Sequence, residues 1–291
     1  MRESSTPRWS AVVVGLGRAG RARVREIESS EQFRLTGVVS RRESSGLTFE
    51  AALADRTNDV ILVCTENALH GEQVRRALNA GRQVAVEFPL CLDPGEAKLL
   101  FALADEKRQV LHVEHIELLT ASHRALREQL RAIGELRGGE LRFQGGADGW
   151  IADLARGGFP SFSGIARLHV LWDAFGPLSA RSATLQNFDD GLRFEAELVT
   201  ERGATITWSE ERRAGLSRGK HFRFEGTDGV LTSDDLEAES HTGGPSLFAL
   251  DLEIIAGRLE GQPEAPGERE RILGALRVAA DCQTLAGVPE E

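Results

Sequence analysis

The chain of 291 residues contains no tyrosine, three cysteines and one methionine. The lack of tyrosine excludes a phenolic side chain as a proton donor. The three cysteines, Cys64, Cys91 and Cys282, are too few and too scattered for a disulfide framework or a zinc cluster. We therefore expect a reducing, cytoplasmic environment and no bound metal.

Long apolar runs are also absent. Runs such as residues 59–64 fall far short of the ~20 residues that a membrane-spanning helix needs, and residues 1–10 are polar, unlike a secretory signal. A formal net charge of −10 disfavours general nucleic-acid binding. Nine arginines against five acidic residues in segment 1–45 suit a small anionic ligand at that end. We expect neither a membrane nor a nucleic-acid partner.

Strands and helices alternate in the first part of the chain. Short apolar runs predict buried strands at 11–15, 33–40, 59–64, 83–87 and 110–113, with helices between them. This alternation is typical of a doubly wound parallel sheet that helices cover on both faces.

The pattern changes after residue 117. We predict one long amphipathic helix at 118–136, a second helix at 163–175 and a final helix at 268–285. Apolar and polar residues alternate in the remaining strands, at 140–143, 180–186, 192–200, 205–211, 221–225 and 230–233. We therefore predict an α/β protein with a first domain at 1–118 and an α+β domain at 119–291, whose large sheet is mainly antiparallel.

A glycine-rich turn follows the first predicted strand. The sequence Gly-Leu-Gly-Arg-Ala-Gly, which starts at Gly15, matches G-x-G-x-x-G between a buried strand and a helix. Gly15 permits the tight turn, Gly17 lets the backbone approach a diphosphate, and Gly20 lets helix pack on strand. Arg18 and Ala19 open the helix whose N-terminus attracts phosphate. The pattern predicts a Rossmann domain that binds a dinucleotide; a turn without a ligand is the alternative.

The end of the second predicted strand indicates which dinucleotide binds. Sites for NAD usually place an acidic residue there, whereas this chain has Ser40, Arg41 and Arg42. Two guanidinium groups and a hydroxyl match the oxygens of a 2′-phosphate. We therefore predict NADPH as the cofactor, with NADH as the weaker alternative, and a solvated basic loop as the reading without function.

Several segments resemble the biliverdin reductase family in order and spacing. They are GLGRAG, VVSRRE, VEFPL, LHVEHIELL, GFPSFSGIARL and SATL, and the resemblance covers roughly residues 11–185. The wider relatives are the glucose–fructose oxidoreductase-like (Gfo-Idh-MocA) dehydrogenases, which share a Rossmann domain and a sheet domain. The resemblance implies NADPH-dependent reduction of biliverdin, a linear tetrapyrrole, to bilirubin at the central meso carbon (C10), with protonation of a pyrrole nitrogen. We expect a monomer.

The tripeptide Glu87-Phe88-Pro89 lies at the carboxyl end of the fourth predicted strand, at the edge where such sheets bind ligands. The sugar-oxidising relatives typically have Glu-Lys-Pro here, and the biliverdin reductases Glu-Tyr-Pro. Phe88 has no titratable proton, so it can only pack against cofactor or substrate. We expect Glu87 to orient the nicotinamide amide or the backbone, and a purely structural role is equally open.

Three further residues are candidates for chemistry. Glu114 and Glu117 match acidic residues of the family motif and could face one cleft, although solvated or capping roles are the alternative. The resemblance places Arg167 beside the bilin, where it would hold a propionate or help relay a proton through water. A surface salt bridge is the alternative for Arg167.

Two other functions stay open at this stage. One is a sugar or dihydrodiol NADP-dependent dehydrogenase of the wider family, which the missing lysine at position 88 disfavours. The other is an NADPH-binding sensor without catalysis, which the loss of the family's tyrosine at Phe88 makes worth testing.

Overall fold

The computed structural model describes residues 8–40, 46–147, 149–236 and 244–287, with only the backbone of Ala152. The chain forms two compact units, each with its own sheet. The first consists of Met1–Cys91, Gly95–Ile116 and Pro245–Ala265, and the second of Leu92–Pro94, Glu117–Gly244 and Pro266–Glu291.

The first unit is built on a parallel sheet. Its strands are β1 (Trp9–Val14), β2 (Phe33–Val39), β3 (Val60–Val63), β4 (Gln83–Val86) and β5 (Leu111–Val113). They lie in the order β2-β1-β3-β4-β5. The chain therefore reverses direction across the sheet at β1, and ligands of such sheets bind at the carboxyl ends of the strands on either side of that point. The predicted doubly wound sheet is confirmed.

Five helices belong to the first unit. They are α1 (Arg18–Glu28), α2 (Phe49–Ala54), α3 (Asn67–Asn79), α4 (Pro94–Lys107) and, late in the chain, α9 (Leu247–Leu259). Sequence analysis placed all residues after 118 in the second domain and predicted no helix at α9. The structure instead buries Leu252, Ile255 and Ala256 of α9 in one core with Ala11 and Val13 of β1. This apolar contact holds segment 245–265 in the first unit.

The second unit is built on a six-stranded sheet. Its strands are β6 (Leu136–Gly145), β7 (Leu178–Phe188), β8 (Gly191–Thr200), β9 (Thr205–Arg213), β10 (Gly219–Gly226) and β11 (Val230–Thr232), in the order β11-β10-β6-β9-β8-β7. Every neighbouring pair is antiparallel except β6 and β9, which are parallel. The predicted large, mainly antiparallel sheet is confirmed.

Helices cover one face of this sheet. They are α5 (Ala121–Gln129), α6 (Leu154–Gly157), α7 (Pro160–Ser163), α8 (Ile165–Phe175) and α10 (Glu268–Leu285). The final helix was predicted with these bounds. It packs closely on α8, because a Cβ atom at Gly274 would lie 2.0 Å from the Trp172 ring.

The long helix predicted at 118–136 is wrong. The segment forms a 3-10 turn (Ile116–Leu119), then α5, a second 3-10 turn (Leu130–Ile133) and the start of β6. The Thr120 hydroxyl accepts a hydrogen bond from the His123 amide and so caps the start of α5. Gly134 has φ +74°, which turns the chain out of the helical path before the strand begins.

Two more 3-10 turns lie at Gly149–Ala152 and Asp234–Leu236. Across the part of the chain that the structure describes, no helix combines the length and the apolar character needed to cross a bilayer.

Candidate active site

The glycine turn between β1 and α1 has the geometry of a phosphate-binding turn. Gly15 has φ +99°, and a Cβ atom there would lie 2.5 Å from the carbonyl oxygen of Cys64. A Cβ atom at Gly20 would lie 1.9 Å from the carbonyl oxygen of Gly15. Nothing described lies within 4 Å of a Cβ atom at Gly17. The fold therefore requires Gly15 and Gly20, whereas Gly17 leaves open space for a ligand to approach the backbone.

The N-terminus of α1 suits an anion. Gly17 is the cap residue and makes no side-chain cap hydrogen bond, and no acidic residue lies in the first turn of α1. Arg18 is exposed and Ala19 half-buried at the helix start. Uncapped amide groups and the positive end of the helix dipole favour phosphate. The turn and helix start, residues Gly15, Gly17, Arg18, Ala19 and Gly20, fit the diphosphate of a dinucleotide. Their contacts with a diphosphate stay a prediction.

The residues expected to bind the 2′-phosphate are Ser40, Arg41 and Arg42. Ser40 follows β2 directly and is half-buried. Arg41 and Arg42 lie outside the described residues. The role of this Ser-Arg-Arg sequence therefore stays a prediction.

A buried ion cluster lies under the carboxyl ends of the strands in the first unit. Arg23 of α1, 2% exposed, donates from Nε to Glu87 at 2.9 Å, and its Nη2 pairs with Asp251 of α9 at 2.5 Å. Burial lowers the pKa of Arg23, but Glu87 and Asp251 outweigh it, so Arg23 stays charged. Glu87 is thus held by a protein cation, which favours the structural role that the sequence left open.

A histidine joins the cluster. His112 of β5 contacts Asp251 through Nε2 at 2.9 Å. Burial alone would raise the pKa of Asp251, but His112 and Arg23 lower it to about 2. For Glu87, burial raises the pKa and Arg23 only partly offsets it. Asp251 therefore carries the negative charge most firmly.

Glu114 is fully buried in the same unit. Its Oε1 accepts the amide of Ile116 at 2.7 Å, and its Oε2 has no hydrogen-bond partner among the described residues. Burial, followed by the charges of Glu87 and Asp251, raises the pKa of Glu114 well above its usual value. With no exposed surface, Glu114 does not present its carboxylate to a ligand as expected from the sequence.

Phe88 is the second residue after β4 and is half-buried. It precedes Pro89 across a cis peptide bond. His70 of α3 faces the carbonyl oxygen of Pro89 from Nδ1 at 2.7 Å and that of Thr65 from Nε2 at 3.3 Å. The segment that carries Phe88 is therefore fixed on both sides by buried contacts, from His70 at Pro89 and from Arg23 at Glu87.

Arg167 does not have the free guanidinium that was expected of it. It is 4% exposed on α8 and forms a two-point pair with Glu210 of β9, from Nε at 2.7 Å and from Nη2 at 2.8 Å. Glu210 is 1% exposed and also accepts Trp208 Nε1 at 3.1 Å. The charge of Arg167 and its fork of donors are thus already used inside the second unit, and the expected contact of Arg167 with a substrate stays a prediction.

Glu117 and Glu114 enter different clusters. Glu117 lies in the second unit, where its Oε1 accepts Lys220 Nζ at 2.5 Å. Burial would raise the pKa of Glu117, but Lys220, with help from Arg167 and Arg218, lowers it. Glu117 is therefore a paired anion, whereas Glu114 favours its neutral form. The expectation that both face one cleft stays a prediction.

Two family models match the chain. The model for the catalytic domain of biliverdin reductase matches residues 123–236, and that for the oxidoreductase family with an NAD-binding Rossmann fold matches residues 9–115. Biliverdin reductase A of Mus musculus is 37% identical over 96% of this chain and 96% of its own length. The Homo sapiens protein of the same name is 36% identical over 95% of both chains. This chain belongs to the biliverdin reductase family.

A solved member of the family has the same fold. The crystal structure of biliverdin reductase from Synechocystis sp. PCC 6803, in complex with biliverdin and NADP⁺, is 27% identical and covers 96% of this chain and 99% of that chain, with a TM-score of 0.83. The predicted family and fold class are confirmed, and the chain is an oxidoreductase.

Sequence reasoning missed the main partners in both clusters of this biliverdin reductase-family protein. Arg23 shares the inward stripe of α1 with Gly20 and Ile27, at a spacing of three and four residues. Glu210 follows Ile206 and Trp208 on the buried face of β9, at a spacing of two. In both patterns a charged residue occupies a position that is otherwise apolar, and this could have predicted a buried ion pair.

Proposed function

We propose that this chain reduces biliverdin to bilirubin, with NADPH as the hydride source and C10 as the acceptor carbon. The observation that carries the proposal is a family likeness along almost the whole chain, 37% identity over 96% of it, joined to an open glycine turn at β1. The fold alone does not specify the substrate, because the same architecture serves several reactions.

The first unit would hold the cofactor. The backbone around Gly15, Gly17 and Gly20, with Arg18 and Ala19, fits the diphosphate. Ser40, Arg41 and Arg42 are assigned to the 2′-phosphate. When bound, NADPH supplies the hydride. The protein contributes position and orientation, because hydride transfer requires close and aligned partners.

The residues after β4 would shape the reacting end of the site. Phe88 offers a ring surface and no proton, so the proton that reaches the pyrrole nitrogen comes from another group or from water. Arg23, through Glu87, holds the backbone at Phe88. We therefore assign Arg23, Glu87 and Glu114 as positioning residues rather than as groups that touch the bilin.

The proposal also covers the organisation of the chain. Residues 1–118 are assigned to the cofactor and residues 119–291 to the substrate, apart from the α9 segment, which packs in the first unit. We place the enzyme in the cytoplasm as a monomer that needs only its linear tetrapyrrole substrate and NADPH. The three cysteines are buried free thiols, in keeping with a reducing environment.

Steady-state turnover of biliverdin with NADPH tests the proposal. We expect bilirubin to form, and NADH to support a lower kcat/KM. The variant Gly17→Ala is a matched probe, because the new methyl group meets no described atom within 4 Å but occupies the ligand side of the turn. It should raise the KM for NADPH and leave the melting temperature of the cofactor-free chain unchanged.

Two results would redirect the proposal. Tight NADPH binding without reduction of any bilin at any pH would favour the sensor, which the loss of a proton donor at Phe88 supports. Oxidation of polyols or dihydrodiols with NADP⁺ would favour the dehydrogenase of the wider family.

A further inference from the structure

Helix α9 carries one carboxylate on its buried side, where its other residues are apolar. Leu252, Ile255 and Ala256 pack in the core with β1, and Asp251, 1% exposed, lies one turn before Ile255 on the same side of the helix. An apolar side chain would suit such a position at least as well for stability, because a charge is costly to remove from water. The carboxylate therefore indicates a role other than packing.

The face of the first sheet that α9 covers changes character toward the carboxyl ends of the strands. The register places Ala85 of β4 opposite His112 of β5. Side chains two residues apart share a face, so Glu87 and Glu114 follow on the same side. The backbone ladder continues this far, because the amides of Glu87 and Glu114 donate to the neighbouring strands. This face therefore passes from apolar side chains to carboxyl groups at the edge where such sheets bind ligands.

Asp251 and Glu87 hold two edges of one guanidinium group. Arg23 donates from Nε to Glu87 at 2.9 Å and pairs through Nη2 with Asp251 at 2.5 Å. A guanidinium group is planar and its donors point in fixed directions. Contacts at two edges therefore fix its plane, whereas a contact at one edge lets it rotate. Without Asp251, Arg23 would be tied to Glu87 alone.

His112 holds Asp251 in turn. Its Nε2 lies 2.9 Å from Asp251 Oδ1, and the His112 side chain is 5% exposed. Contacts thus run without a break from His112 through Asp251 and Arg23 to Glu87, and each of these residues belongs to a different part of the first unit. Glu87, with 13% of its side chain exposed, is where these contacts reach the surface beside Phe88.

We propose that Asp251 and His112 are positioning residues for the reaction, because they fix Arg23 against Glu87 and so keep the segment at Phe88 in place for hydride transfer. The inference rests on the proposed function, in which Phe88 shapes the reacting end of the site. It gives α9 a role in catalysis as well as in packing. Neither residue belongs to the glycine turn assigned to the diphosphate. Their loss should slow the chemical step and leave cofactor affinity unchanged, since hydride transfer requires close and aligned partners.

The test follows a single turnover with Asp251→Asn, which keeps the shape of the side chain and removes its charge. The complex of the protein with NADPH is mixed with biliverdin, and the formation of bilirubin is followed by its absorbance. We expect the rate to fall by about 10–100-fold, the range expected for displacements of up to about 1 Å. The slower rate should carry a primary deuterium isotope effect when the cofactor is labelled at the transferred hydrogen. The dissociation constant of NADPH should stay unchanged.

Two neighbours on α9 are matched controls. Leu252→Ala removes apolar volume from the same core, so it should lower the melting temperature and leave the single-turnover rate unchanged. Glu253→Gln makes the same change of charge at an exposed position, so it should alter neither. All variants are compared at a temperature at which circular dichroism shows them folded.

His112 carries the test if Asp251→Asn does not fold. His112→Leu removes the contact with Asp251 Oδ1 and should also slow the single turnover. His112→Gln offers an amide donor in place of Nε2 and should restore most of the rate. A His112→Leu chain that reduces biliverdin as fast as the unaltered chain would contradict the proposal.

The outcomes separate this proposal from the proposed function. If the unaltered chain reduces biliverdin and Asp251→Asn does so at the same rate, only the positioning role is wrong. The same holds if Leu252→Ala slows the turnover as much as Asp251→Asn, or if Asp251→Asn weakens NADPH binding alone. If the unaltered chain forms no bilirubin, both proposals fail.

Discussion

Arg23 is the residue on which the first unit depends most for charge balance. It is 2% exposed and bridges two carboxylates, Glu87 and Asp251, beside a third at Glu114. Its guanidinium also lies 4.9 Å from the centre of the Phe248 ring, in the first turn of α9. The substitution Arg23→Met keeps most of the apolar volume and removes the cation. It leaves three buried carboxyl groups with His112 as their remaining basic partner.

The expected loss of stability is large. Removal of one partner from a buried ion pair typically costs ~3–5 kcal/mol, because the other charge stays in an environment of low polarity. For a domain of 150–250 residues, each kcal/mol lowers the melting temperature by about 2–4 °C. We therefore expect the melting temperature of Arg23→Met to fall by on the order of 10 °C at pH 7.5.

The loss should depend on pH. Burial raises the pKa of Glu87 even with Arg23 present, and without Arg23 the folded-state pKa of Glu87 rises further above its unfolded value. The pKa of Asp251, which His112 and Arg23 hold low, also rises when Arg23 is removed. A carboxyl whose pKa is raised in the folded state destabilises the protein at pH values above its unfolded-state pKa. This destabilisation decreases as the pH falls and disappears below the unfolded-state pKa. The difference between Arg23→Met and the unaltered chain should therefore be smaller at pH 5.5 than at pH 7.5.

Thermal unfolding followed by circular dichroism, with hydrogen exchange of peptides from β1 and α1, reports on this unit. Arg25→Met is the matched control, since Arg25 is exposed on the same helix and its loss should cost less than about 0.5 kcal/mol. Equal melting temperatures for Arg23→Met and the control, or a deficit that grows as the pH falls, would refute the reasoning.

Three further predictions follow from the site. Glu114→Gln should raise the melting temperature at pH 7.5, because an amide avoids the charge that burial penalises, and the gain should vanish below the unfolded pKa of glutamate; a pH series of melting curves checks this. Arg167→Met should lower the free energy of unfolding by ~3–5 kcal/mol, because it leaves Glu210 buried without its main partner; urea unfolding checks this. Gly15→Ala should destabilise the cofactor-free chain, unlike Gly17→Ala, because its methyl group would meet Cys64; paired thermal melts distinguish them.

Local patterns predicted the first sheet well. Short β-branched runs next to glycine, as at β1 and Gly15, give both the strand and the turn, because the signal lies within a few residues. The same patterns overextended the helix before β6. Thr120 and Gly134 end the helical segments, and an amphipathic pattern alone does not reveal such ends.

The clusters could not be predicted in the same way. Arg23 meets Asp251 across 228 positions of sequence, and Arg167 meets Glu210 across 43. A single sequence shows that an arginine lies on an apolar stripe, but not which carboxylate neutralises it. For this reason the sequence predicted a substrate-binding cation at Arg167 and predicted no role for Asp251.

The most direct test of the central claim follows the hydride itself. The chain is mixed with biliverdin and NADPH carrying deuterium at the transferable position of nicotinamide C4, and the product is analysed by mass spectrometry and proton NMR. We expect bilirubin with one deuterium at C10 for each NADPH oxidised. Bilirubin without the label, or no bilirubin despite bound cofactor, would contradict it.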